Sequence, residues 1–286
     1  FFKAFDNIAR SARGEYEITD NSTLHFSTGV VKGNMGITPA LNDSSGVFSQ
    51  FQMIKYDLDL SEDSSFFVNV FHNDVKYNFN SIVDSYNAAT RQYDVEFGHS
   101  FVLAEKNHIV WGAGFRRNEV KTVYMAPVST PSDWMHDRLW KTYVNDKISV
   151  LDNVSVYAGV MAEGNRFTGT ALSPRTSLVY MAKKDHAFRA TYARAHRTPS
   201  FYEDRVYYLY DYTIDFGTGD VTSYIEQGNS QLEKETVDAY ELGYKGSFLE
   251  HKADVNIEAY HNEITHLITL YNAGIHDKGV SPLGVG

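Results

Sequence analysis

Apolar and polar residues alternate along much of this chain with a period of two, the spacing that sends successive side chains to opposite faces of a β-strand. In 93–101, Tyr93, Val95, Phe97, His99 and Phe101 oppose Asp94, Glu96, Gly98 and Ser100. In 109–116, Ile109, Trp111, Ala113 and Phe115 oppose Val110, Gly112, Gly114 and Arg116. Val154, Val156, Ala158 and Val160 oppose Ser155, Tyr157, Gly159 and Glu163, and Ala253, Val255, Ile257 and Ala259 oppose Asp254, Asn256, Glu258 and Tyr260. The second face is too polar for a dry core and suits a wide lumen holding water or a plug. The 49–60 run is less clean. Ile54, Tyr56, Leu58 and Leu60 oppose Lys55, Asp57 and Asp59, but Phe51 and Met53 fall on the polar side, either above a membrane or against a plug.

These runs come in pairs joined by tight polar turns at Thr19–Ser22, Ser61–Ser64, Glu105–Asn107, Leu151–Asn153, Lys183–Asp185 and Leu249–His251. Asp, Asn, Ser and Lys supply the local hydrogen bonds and left-handed tolerance of such turns. Between the pairs lie longer connectors at 32–46, 77–88, 118–137, 165–171 and 196–235. Short turns at one end and long loops at the other are the signature of outer-membrane barrels. Six hairpins predict about twelve antiparallel strands of about 9 to 13 residues, long enough to cross a bilayer at a tilt. A soluble sandwich or propeller has shorter strands and more even loops.

Composition agrees. The 286 residues include 20 Tyr and 18 Phe against 6 Pro, and aromatics suit strands and membrane interfaces. There is no run of 18 apolar residues for a transmembrane helix, and a mean hydropathy of -0.37 is compatible with a barrel that hides its apolar residues at every second position. A net charge of -10 argues against a nucleic-acid partner. Zero cysteines exclude a disulfide framework and thiolate metal sites. The start at Phe1-Phe-Lys-Ala-Phe5 and the loop-like end at Gly286 read as a piece of a longer protein.

The segment Gly228-Asn-Ser-Gln-Leu-Glu-Lys-Glu235, leading into a strand with Tyr240, Leu242 and Tyr244 on one face, resembles the Gly-Asn-Pro-x-Leu-Lys-Pro-Glu signature of TonB-dependent outer-membrane receptors. Ser230 and Lys234 replace its two prolines, which leaves the loop entry less rigid than the signature implies. Leu172–Tyr180 resembles the family's Ser-Pro-Arg strand. His186–Glu203 resembles the strand ending in Ala-Phe-Arg-x-Pro, with His196 in the Phe position, and Arg138–Asp146 with Tyr157–Val160 resembles the hairpin before it. The resemblance is strong over 138–264 and rests on pattern alone before that.

It implies a plugged barrel of 22 strands, of which 1–286 would be a partial barrel domain without the plug. The implied activity is import of a scarce nutrient such as a ferric siderophore, in the bacterial outer membrane, without catalysis and without a cofactor. The implied partners are the TonB energy-coupling complex (through the missing plug region), a small-molecule ligand such as an iron chelate, and outer-membrane lipid. The alternative is a self-closed barrel acting as a passive channel or adhesin, which pairing of the first strand with the last would favour.

No nucleophile elbow, zinc-protease helix, P-loop or dinucleotide glycine motif is present. Val31-Lys-Gly-Asn-Met-Gly36 reads as a loop, and His261 and His266 lack metal-ligand spacing. Asp211, Asp215 and Asp220 have the oxygen for a calcium loop but read more simply as solvated acids. In 196–235, Tyr207, Tyr208, Tyr210 and Tyr212 lie near Arg197 and Arg205, a cluster able to stack on a flat ligand or bind an anionic chelate; the plainer reading is strand extension and loop packing. Arg116, Glu163, Arg175, Arg189 and Glu241 are assigned to the lumen, the arginines either to guide an anionic substrate or meet the plug, or to pair with lumen acids such as Glu163 and Glu241.

Overall fold

A computed structural model describes residues 6–35, 44–80, 85–123, 134–214, 221–272 and 280–285; of these, 6, 35, 44, 80, 85–86, 208–214, 221–225, 270–272 and 280–285 are described by backbone alone. Twelve antiparallel strands form one sheet: β1 (Asp6–Thr19), β2 (Ser22–Met35), β3 (Ser44–Ser61), β4 (Ser64–Asn80), β5 (Ser85–Leu103), β6 (Asn107–Lys121), β7 (Met135–Leu151), β8 (Val154–Asn165), β9 (Gly169–Lys183), β10 (His186–Arg197), β13 (Glu235–Phe248) and β14 (Ala253–Thr265). Each strand pairs with the next in the chain, except that β10 skips to β13. Between these two lie α1 (Phe201–Arg205), β11 (Tyr207–Ile214) and β12 (Val221–Gln227). β11 and β12 join β15 (Leu270–Asn272) and β16 (Val280–Val285) in a second, four-stranded sheet.

Register carries one apolar face across the large sheet. Leu242 lies opposite Ala190 and Ala259, and Tyr244 opposite Phe188 and Ile257. Phe115 lies opposite Val95 and Trp140, and Ile54 opposite Phe26 and Val70. A slip of one residue in any pair would swap the two faces. The wall is a single layer: among the described residues only Ala171 and Val206 are buried hydrophobics, while Leu242 is 65% and Ile257 60% exposed. Water does not tolerate a continuous apolar face of this extent, whereas lipid does. The face assignments in 93–101, 109–116, 154–163 and 253–260 all hold.

Three expectations are revised. The strands of the large sheet run from 12 residues in β8 to 19 in β5, and all but β8, β10 and β14 exceed the predicted length, because they continue past the apolar band, where both faces carry polar residues. Val31–Met35, expected as loop, is the end of β2: Gly33 pairs with Asn7 and Val47, and the Asn7 side chain fills the space a Cβ would need. Gly36 lies outside the described residues. The 196–235 connector contains its own helix and hairpin. Phe51 and Met53 do face inward; Phe51 lies over Gly29 and stacks on Phe71 at 6.5 Å between ring centroids.

The short turns hold without glycine. Ala104 and Glu105 take φ of 51° and 58°, and Leu249, Glu250 and His251 take φ of 53°, 57° and 66°, left-handed values that non-glycine residues adopt at some cost. The large sheet is open: β1 and β14 are its edges and do not pair with each other.

Candidate functional site

Where β10 leaves the wall, Thr198-Pro-Ser200 leads into α1. Ser200 caps this single turn: its hydroxyl accepts from the Glu203 amide at 3.2 Å, and the Glu203 carboxylate accepts from the Ser200 amide at 2.7 Å, a reciprocal capping box. Arg197 donates to both Glu203 oxygens at 3.0 Å and to Glu235 at the start of β13. One guanidinium thus ties the strand leaving the membrane to the strand re-entering it. Burial raises the Glu203 carboxyl, but the hydrogen bonds from Arg197 and Ser200 outweigh it and hold the group below its ordinary value.

The Gly228–Glu235 segment closes against this turn. The Gly228 amide donates to the Val206 carbonyl at 2.7 Å, and the Asn229 amide to the Glu203 carbonyl at 2.9 Å. A Cβ at Gly228 would sit 2.6 Å from the Arg205 nitrogen and 2.8 Å from the Glu203 oxygen, so glycine is required by close approach. Asn229 Oδ1 accepts from the Gln231 amide at 2.9 Å, Lys234 Nζ donates to the Thr170 carbonyl at 2.9 Å, and Glu235 accepts from the Ile268 amide at 2.8 Å. The looseness expected from the missing prolines is offset by an Asn turn and by an anchor to β9. Val206 is 1% exposed beneath the segment, and Tyr202 donates to Glu226.

His196 bridges three strands. Nε2 donates to the Leu172 carbonyl at 2.9 Å on β9, and Nδ1 shares a hydrogen bond of 2.9 Å with the Thr236 hydroxyl on β13. Beside it, Asn165 Oδ1 accepts from the Phe167 and Thr168 amides at 2.8 and 2.9 Å, and its amide donates to Thr198 at 2.9 Å.

Of the six loop candidates, Arg197 is engaged by Glu203 and Glu235, and Arg205 Nε donates to Asp204 at 2.8 Å. Tyr207 begins β11 and is 36% exposed. The side chains of Tyr208, Tyr210 and Tyr212 lie outside the described residues, as do that of Asp211 and the whole of Asp215 and Asp220. Backbone register continues β11 against β12, not along β10 or β13.

On the inner face, Arg116 pairs with Asp94 at 2.6 Å. Lys141 pairs with Glu96 at 2.9 Å. Arg189 bridges Glu241 at 3.3 Å and Glu258 at 3.5 Å. Glu163 lies opposite Lys141 and Ala171 and has no ion pair among the described residues. Arg175 has no carboxylate partner among the described residues; with Lys147, Tyr157, Asn145 and Arg189 it lines an open basin of about 510 Å³. The partners Asp94, Glu96 and Glu258 were visible as polar-face residues in the alternation. Glu203 and Glu235 were not visible as partners of Arg197, because the capped turn of α1 brings the first there and cross-strand register the second.

Residues 5–280 match the family described as TonB dependent receptor-like, beta-barrel. The chain belongs to the TonB-dependent receptors. Its wall is that of an outer-membrane barrel, and its family and fold are those of transport receptors. Among solved structures, it is similar to the siderophore receptor PirA from Pseudomonas aeruginosa, at 15% identity and a TM-score of 0.80, covering 98% of this chain and 50% of that one. It is also similar to a mutant of the ferric enterobactin receptor PfeA from the same organism in complex with enterobactin, at 13% identity and 0.78, covering 98% and 47%. A double mutant of the Serratia marcescens hemophore receptor HasR, in complex with its hemophore HasA and heme, aligns at 12% identity and 0.73, covering 97% and 49%. No curated protein sequence matches the chain. The chain spans about half the length of these solved receptors.

Proposed function

We propose that this TonB-dependent receptor chain is part of the wall of an active importer that takes up a scarce nutrient, a ferric siderophore, with energy delivered by the TonB complex through a plug carried elsewhere in the protein. The observation that carries this reading is the two-faced single layer: a continuous apolar face outside and paired charges inside, Arg116 with Asp94, Lys141 with Glu96, and Arg189 with Glu241 and Glu258. An inner face lined with fixed, mostly compensated charges suits a water-bearing lumen filled by a polar domain. On this reading Arg116, Glu163, Arg175, Arg189 and Glu241 face the plug.

The loop between β10 and β13 is assigned to ligand contact. Arg197 fixes its base, and Tyr207, Tyr208, Tyr210 and Tyr212, with Arg205, are the aromatic and cationic residue types that would meet an anionic iron chelate. The neighbours that bind siderophores, enterobactin or a heme-loaded hemophore support the class of cargo.

Uptake of radiolabelled ferric siderophores by cells carrying the full-length gene, with and without an intact TonB system, tests the proposal. Accumulation of at least one chelate only when TonB is present is expected. Equal uptake in its absence would favour a passive channel.

A further inference from the structure

Charge on the inner wall is matched in one half and unmatched in the other. Toward the long connectors, Arg116 and Lys141 each hold a carboxylate, Asp94 and Glu96. Between that level and the short turns, the inward-facing positions of β6 to β9 carry Lys147 and Arg175 and no carboxylate. Both cations are exposed, and neither has an ion pair among the described residues. Acids are in excess in this chain, with a net charge of -10, yet none is placed there. Arg189 on β10 stands at the margin, already held by Glu241 and Glu258.

Register assembles these groups around one basin. Arg175 lies opposite Gly159, and Gly159 opposite Asn145. In the next row toward the short turns, Ser177 lies opposite Tyr157, and Tyr157 opposite Lys147. Glycine leaves the floor without a side chain of its own, and the Asn145 side chain lies over it. Lys147 Nζ sits 5.8 Å from the centre of the Tyr157 ring. Lys147 and Arg175 line the same open basin of about 510 Å³, the size of a small-molecule site. A concave wall carrying charge of one sign focuses its field and raises the local concentration of the opposite ion.

We propose that Lys147 and Arg175 form a second anion station on the lumen wall, which takes the anionic oxygens of an iron chelate after it leaves the loop between β10 and β13 and before it reaches the short-turn side. The forked donors of Arg175 suit paired carboxylate or catecholate oxygens. The Lys147 ammonium suits a single oxygen, and the Tyr157 ring offers a face to a flat catechol. Arg189 is satisfied by its two glutamates and stays outside the contact. The inference rests on the import reading and adds the sign of the cargo to it: the chelate is an anion.

The test uses the full-length receptor in cells. The probes are a radiolabelled ferric tris-catecholate, which is an anion, and a radiolabelled ferric tris-hydroxamate, which is neutral. Surface binding is read in cells without TonB and uptake rate in cells with it. TonB-dependent uptake of the anionic chelate is expected to fall about fivefold in R175Q, the loss of one exposed charge contact, and further in K147Q/R175Q. Surface binding should stay unchanged in both. R175K should recover most of the rate, which a role in shape alone would not allow. Wild-type rates in both variants, a rate in R175K as low as in R175Q, or import of the neutral chelate alone would overturn the inference and leave the import reading intact. Loss of heat stability in R175Q with unchanged uptake would give Arg175 to the plug and overturn it equally. Uptake without TonB, or uptake of neither chelate, would sink the import reading and this inference with it. Heat-modifiable gel mobility verifies that each variant is folded, and K147Q decides the matter if the Arg175 variants fail to fold.

Discussion

Arg197 is a partly exposed residue whose value lies in geometry: it joins the end of β10 to Glu203 on α1 and Glu235 on β13. Because the group is solvent-accessible, Arg197→Ala should destabilise the loop base by only about 1 kcal/mol, read as roughly fivefold faster amide exchange over 200–206. Gly228→Ala should cost more, roughly 2 kcal/mol, because the added carbon meets backbone at 2.6 Å; exchange in the same segment would rise further. The loop base should also respond to acid. The folded Glu203 carboxyl lies below its ordinary 4.5, so its contribution is fully present above that value and is lost as pH falls from there through the lowered one. Amide protection of Ser200 and Glu203 should fade over that window in the native protein and stay flat in Glu203→Gln. The sequence showed Arg197 as a loop cation but not its role. Its partners lie 6 and 38 residues away, and the capping box Ser200–Glu203 was the one local signal that reached toward them.

At the level of elements, alternation made β5, β6, β8 and β14 legible with the correct faces, because lipid on one side imposes an apolar residue at every second position. It underestimated strand length and mistook the end of β2 for loop. Beyond the apolar band both faces meet water and the contrast disappears. Leu242→Arg on the outer face of β13 should be strongly disruptive, about 2 to 4 kcal/mol if it sits near the bilayer midplane. Asn256→Arg on the inner face of β14 should be nearly neutral. Urea unfolding of the reconstituted receptor checks both, and similar costs for the two would contradict the face assignment. The β11–β12 hairpin was not legible at all. Its tyrosines read more simply as extensions of β10 and β13, and the break at α1 with the pairing of β11 on β12 in a separate sheet removes that option.

For the whole molecule, the open sheet bears on the choice between an importer and a self-closed channel. Exposed strand edges are not tolerated in lipid, so β1 and β14 require partner strands from outside this chain if it belongs to a larger barrel. Cysteine pairs along the two edges, such as Ala12→Cys with Ile257→Cys, should not cross-link in the full-length receptor; ready cross-linking would indicate a closed twelve-stranded barrel. The central claim is that this chain is a lipid-facing wall with a watery interior. It is tested most directly by spin-labelling each position from 238 to 245 in the full-length receptor in bilayers. Labels at 240, 242 and 244 should be relaxed by oxygen dissolved in lipid, and labels at 241, 243 and 245 by a water-soluble nickel complex or by protein contact. A period of two confirms the wall, and lipid exposure at none of the eight positions would contradict it.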